Sequence, residues 1–136
     1  MADKFSRSKR SSIMSRVKGH NTQPERLVRS LIHKMGFRFR INRADLPGKP
    51  DIVLPRHKKI VFVHGCFWHG HKGCRRSARP STNVEFWDRK LSGNIKRDQR
   101  LKRKLERDGW RVLIVWSCET RNTDRVKSKL TTFLRD

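Results

Sequence analysis

Along this 136-residue chain the spacing of apolar residues changes several times, and each change marks a predicted element. Between Thr22 and Gly36, the residues Leu27, Val28, Leu31 and Met35 recur at the three- and four-residue steps of one helix face. TQPE is the predicted start: Thr22 and Glu25 have capping-box spacing, and Pro24 sits where its missing N–H costs nothing. Gly36 ends that helix. FRFRI (37–41) alternates like a half-buried strand, and LPGKPD makes a turn. DIVLP (51–55) and KKIVFVH (58–64) are β-branched runs separated by only Pro55, Arg56 and His57, which predicts an antiparallel hairpin. EFWDRKL and NIKRDQRLKRKLERDG read as helix with a break at Ser92-Gly93 and a stop at Gly109. WRVLIVW (110–116) is apolar on both faces, which predicts a central strand. A last helix carries Val126, Leu130, Phe133 and Leu134 on one face. The order α-β-β-β-α-β-α predicts an α/β fold, a mixed sheet flanked by helices, as a single domain over residues 21–136. Residues 1–20 hold six basic side chains, one acid and many serines, and are expected to form a flexible basic arm.

Charge gives this outline a partner. The chain has 35 Lys and Arg against 12 Asp and Glu, a net charge of +23, and such an excess repels itself unless a polyanion is near. Nucleic acid is the expected partner. A membrane-surface protein could be as basic, but no clean basic amphipathic helix with an insertion face is present. No leading apolar segment and no run of membrane-spanning length occurs, so no membrane association is expected. Three cysteines cannot close a disulfide framework, which points to an intracellular protein with reduced thiols. A monomer is expected, since no self-complementary apolar face remains once the core is assigned.

Chemistry concentrates in HGCFWHGHKGC (64–74). Cys66, His71 and Cys74 lie within nine residues there, and Cys118 follows the strand over 110–116. Together they make a Cys3His set that uses every thiol in the chain and suits structural zinc. His64 and His69 stand outside that set and could be packed residues or catalysts. Asp51 opens an apolar strand. Asp98 shares a helix face with Ile95, Leu101 and Leu105, where a carboxylate is costly unless it meets a histidine, an arginine or a cation. Residues 89–107 carry nine basic residues and two acids, a candidate phosphate-facing surface. A divalent ion at Asp51 would stabilise charge on a scissile phosphate, and an adjacent histidine could move the proton. PD at a strand start, with the polar end of a second apolar strand about a dozen residues on, is the layout of the PD-(D/E)xK nucleases. The usual E-x-K is replaced by Phe62-Val63-His64. Phe67, Trp68 and Trp87 are expected to stack on planar groups, and Phe86 to fill core.

Taken in order, TQPE, LPGKPDIV, FVHGCFWHGH, EFW–RK–N–RD and GWRVLIVWSCE resemble the very-short-patch repair (Vsr) endonuclease family over nearly the whole chain. The resemblance implies a restriction-endonuclease-like fold and an Mg²⁺-dependent endonuclease that nicks 5′ to the mispaired T of T:G mismatches left by 5-methylcytosine deamination. It further implies that Asp51 and the Val63 backbone carbonyl bind magnesium and that His69 is the general acid/base. His64, Glu25 and Asp98 would support the site, with zinc on Cys66, His71, Cys74 and Cys118. Phe67, Trp68 and Trp87 would wedge beside the mismatch, and Met14 would belong to a minor-groove clamp. Double-stranded DNA with a T:G pair is then the substrate, mismatch-repair proteins are candidate partners, and a cytoplasmic, nucleoid-associated setting follows. The knot is one residue longer than the family's H-x-C form, leaving the histidine ligand between His71 and His69. Two rival classes stay open: a non-catalytic zinc-containing DNA-binding module, and a related restriction-type nuclease cutting matched DNA.

Overall fold

The computed structural model describes residues 22–136, so the arm expected over residues 1–20, with Met14, lies outside the described residues. Helix α1 (Gln23–Lys34) starts where the sequence places it, with Thr22 Oγ1 accepting from the Glu25 N–H at 3.4 Å. Strands β1 (Arg40–Ile41), β2 (Ile52–Leu54) and β3 (Lys59–His64) follow. The long helix α2 (Val84–Arg107), strand β4 (Arg111–Trp116) and helix α3 (Thr123–Arg135) complete the predicted order. The sheet runs β1-β2-β3-β4, antiparallel up to β3 and parallel between β3 and β4.

Strand alternation decides what each face of the sheet carries. Ile52, Leu54, Val61, Val63 and Val115 pack with α1 and α3 through Val28, Ile32, Val126 and Leu130. Val53, Ile60, Phe62, Val112 and Ile114 pack on the other face with Leu105 of α2. The same parity carries Asp51, His64 and Trp116 toward the α2 side, all near one end of the sheet. The Lys59 ammonium lies on the other side and at the opposite end, where it donates to the Phe133, Leu134 and Asp136 carbonyls and closes the C-terminus of α3.

Four expectations need correction. The strand over 37–41 shrinks to Arg40–Ile41. The helix is unbroken at Ser92-Gly93, because Leu91 and Ile95 are four apart and carry the apolar stripe straight across the glycine. Leu91 is 1 % exposed and Leu105 fully buried, which outweighs the roughly 1 kcal/mol that a helical glycine costs. WRVLIVW is not central: among the described residues β4 is an edge strand. Both its faces are apolar because helices cover both, while its free edge is closed by side chains, with Lys129 Nζ on the Ile114 carbonyl and Glu119 Oε1 on the Trp116 N–H. Phe86 does not fill core; it is 56 % exposed. Among the described residues no helix is long and apolar enough to cross a membrane.

Candidate functional site

Two clusters form where β3 and β4 end beside the middle of α2. In the first, the loop after β3 turns back on itself, His69 N–H to Gly65 carbonyl and His71 N–H to Cys66 carbonyl. This brings Cys66, His71 and Cys74 together, and the short turn after β4 adds Cys118. One ligand atom from each lies within 4.8 Å of the others. The Cys118 sulfur is 3.4 Å from His71 Nδ1. A tetrahedral zinc with Zn–S near 2.3 Å needs ligand atoms about 3.8 Å apart, so the set fits such an ion with a small inward movement. Burial, and then Cys66, push the Cys118 thiol up to about 11, so this thiol holds its proton unless a cation takes its place. His71, not His69, belongs to this cluster.

His69 instead turns toward α2, where its Nδ1 and an Asp98 oxygen are 2.6 Å apart. The inward position of Asp98 read from helix spacing is thus satisfied by a histidine. A carboxylate accepts only, so in the neutral ring Nδ1 carries the proton and Nε2 keeps its lone pair. His64 lies flat on His69, ring centroids 3.9 Å apart and planes 7° from parallel. Burial, and then the neighbouring His69, push the His64 imidazole down to about 3, so it is neutral near pH 7. Gly70 follows with φ +60°, and a Cβ there would stand 2.8 Å from Ile95 Cγ1, so the loop approaches α2 this closely only with glycine. The Asn94 amide of α2 donates to the Trp68 carbonyl from the other side.

Asp51 faces the imidazole pair across a cleft of about 510 Å³ lined also by Lys49, Val63 and Arg97. One Asp51 oxygen accepts the Val63 N–H at 2.7 Å. Burial pushes the Asp51 carboxyl up to about 7, and the nearby Glu25 charge adds to this against the Val63 N–H, His69 and Arg29. Glu25, first read as a capping residue, is itself buried at 4 % exposure and acts electrostatically on Asp51. A half-buried carboxyl near neutrality, with acidic and imidazole neighbours, is a place where a divalent cation could replace a proton. Lys49 and Arg97 were not singled out from the sequence; their signal is adjacency, in LPGKPD just before Asp51 and one step before Asp98.

The aromatics gather between the loop after β3 and the first turn of α2. Phe67 meets Trp68 at 5.1 Å and Trp87 at 5.5 Å, both edge-on, and the two indoles are 6.0 Å apart. All three rings are half-buried, and the exposed Phe86 leans edge-on against Trp87 at 5.1 Å. The cluster is therefore neither core nor scattered surface, but a partly open aromatic platform.

Comparison with known proteins agrees with this architecture. The model of the family "DNA mismatch endonuclease Vsr" matches residues 2–76. The chain is 46% identical over 134 residues to "Type II nicking enzyme V.XorIIP" of Xanthomonas oryzae pv. oryzae (strain KACC10331 / KXO85), covering 98% of each. It is 39% identical over 132 residues to "DNA mismatch endonuclease Vsr" of Escherichia coli (strain K12), covering 97% of this chain and 84% of that one. Its fold is similar to the "Homing Endonuclease I-Bth0305I Catalytic Domain", with TM-score 0.56 and 23% identity, over 83% of this chain and 94% of that one.

Proposed function

The chain belongs to the DNA mismatch endonuclease Vsr family and is a DNA endonuclease, and from that premise we propose that it nicks one strand of duplex DNA 5′ to the mispaired T of a T:G mismatch. The observation that carries the chemistry is the His69–Asp98 pair facing the half-buried Asp51 carboxyl across one cleft. In the proposed step, water oxygen bonds to phosphorus, one P–O ester bond breaks, the departing oxygen is protonated by solvent water, and the attacking water gives up a proton. His69 moves that proton through Nε2, since Asp98 holds Nδ1 and fixes the ring. His64 backs the His69 ring, and the Glu25 charge disfavours a bare carboxylate at Asp51 and so favours a cation there. A divalent ion, expected as Mg²⁺ on Asp51 and the Val63 carbonyl, supplies positive charge where the phosphate becomes more negative.

Zinc on Cys66, His71, Cys74 and Cys118 would fix the loop that presents Phe67, Trp68 and His69. The aromatic platform formed with Trp87 supports a wedge into the base stack, where a mispaired step is cheaper to open than a sound one. The basic arm over residues 1–20, with Met14, would add contacts to the minor groove. The name of the Xanthomonas relative, a nicking enzyme, favours single-strand cleavage over double-strand cutting.

Labelled duplexes with and without one T:G pair, incubated with Mg²⁺ or with EDTA, test the proposal. Cleavage confined to the mismatched duplex and to Mg²⁺ is expected. Equal cutting of matched DNA would mean a restriction-type enzyme, and binding without any cleavage would mean a non-catalytic module.

A further inference from the structure

Trp116 has no part in the chemistry above, but it is the side chain through which the thiol-rich knot meets the imidazole pair. It shares the α2 face of β4 with Val112 and Ile114, and the parallel register sets it beside His64. The His64 ring meets the indole edge-on, at 5.3 Å and 74°. His71 of the knot lies flat on the same indole, at 4.2 Å and 9°. The contacts therefore run without a gap from His71 through Trp116 and His64 to His69 and Asp98.

His64 needs such a wall. An imidazole is ordinarily oriented by a hydrogen bond to one ring nitrogen. His64 Nδ1 is buried and, among the described residues, nothing hydrogen-bonds to it. With Nδ1 unbonded, rings surround the imidazole: His69 on one face, with Phe62 tilted at 5.5 Å and the edge-on indole of Trp116 around it. The Trp116 backbone is in turn held by its amide N–H on Glu119 Oε1 at 2.9 Å, and Glu119 is held by Lys129.

We propose that Trp116 is a positioning residue for the nicking reaction, holding His64 and, through it, His69 in register with Asp51, and tying that register to the geometry of the knot. It acts through the two imidazoles and not on the phosphate. This rests on the nicking activity proposed above.

Trp116→Phe keeps a flat ring; Trp116→Leu keeps apolar volume without one, and Trp116→Met replaces it should the leucine variant not fold. Each is tested as the full-length, zinc-loaded protein for kcat and KM on a T:G duplex, for zinc content, and for its histidine ring resonances by NMR. Trp116→Leu is expected to lower kcat on the order of 100-fold, the scale of a small misplacement of a catalytic group, with KM and zinc content unchanged. Its His64 and His69 ring resonances should move, and Trp116→Phe should recover most of the rate. A wild-type kcat in the ringless variant would overturn the proposal. So would a parallel loss of kcat, duplex binding and zinc, which would make Trp116 an ordinary packing residue. A wild-type protein inert on T:G duplexes would sink the nicking activity itself, and the ring resonances would then judge whether Trp116 orients the imidazoles.

Discussion

Asp51 illustrates a conflict between function and stability within one side chain. Its carboxyl holds a proton up to about pH 7 in the metal-free fold, against 3.8 for an ordinary aspartate. Between those values the folded state binds more protons than the unfolded one, so stability falls as pH rises through that window and stays low above it. Asp51→Asn removes the buried charge and keeps an acceptor for the Val63 N–H. In EDTA at pH 8 this variant should be more stable than wild type, by up to about 4 kcal/mol, and the gain should shrink toward pH 5. Thermal melts at the two pH values check this, and a variant less stable at pH 8 would show that burial does not raise the carboxyl. The position of Asp51 was legible from PD before an apolar run. Its electrostatic partner Glu25 was placed at the site only by the family resemblance, because capping-box spacing gave that residue an adequate local role and only the tertiary fold buries it beside Asp51.

Elements were legible where one face decides the pattern and obscure where an edge does. The 3–4 spacing of α2 pointed Asp98 inward, and it pairs there with His69. The same rule, applied across Ser92-Gly93, outweighs the helix-breaking reputation of those two residues. Apolarity on both faces of β4 reports only that helices cover it. It cannot report the edge, which is closed by Glu119 and Lys129, two polar residues whose bonds to the strand backbone exist only in the folded chain. Trp116 was passed over for a related reason, since an indole in an apolar strand reads as core until the register with His64 is known. Burial pushes the Glu119 carboxyl up, but the Trp116 N–H and Lys129 together outweigh it and hold it below its ordinary value. A lowered carboxylate stabilises the fold above its unfolded value of 4.5, and that contribution is lost as pH falls through the folded value. Glu119→Gln should therefore cost roughly 1–3 kcal/mol near neutrality, and the gap to wild type should close in that acid range. Urea titrations across pH check this; a gap independent of pH would show that the charge on Glu119 contributes nothing.

At the scale of the molecule, a +23 chain places three of its 12 acids at the cleft. Asp51 and Asp98 line the cleft, Glu25 acts on Asp51 from beneath, and the wealth of Lys and Arg is left for a polyanion. The knot joins the end of β3 to the end of β4, so both the aromatic platform and the imidazole pair depend on it. Cys118→Ser should lower zinc content and the melting temperature together, since structural zinc contributes on the order of 10 kcal/mol of apparent binding energy. Unchanged zinc stoichiometry would remove Cys118 from the ligand set. The central claim, that this architecture nicks the T strand at a T:G mismatch, is tested most directly by end-labelling each strand of one such duplex and mapping the product with Mg²⁺ present. A single break 5′ to the mispaired T, with the G strand intact, is predicted; a break in the G strand, or in both strands, would contradict it.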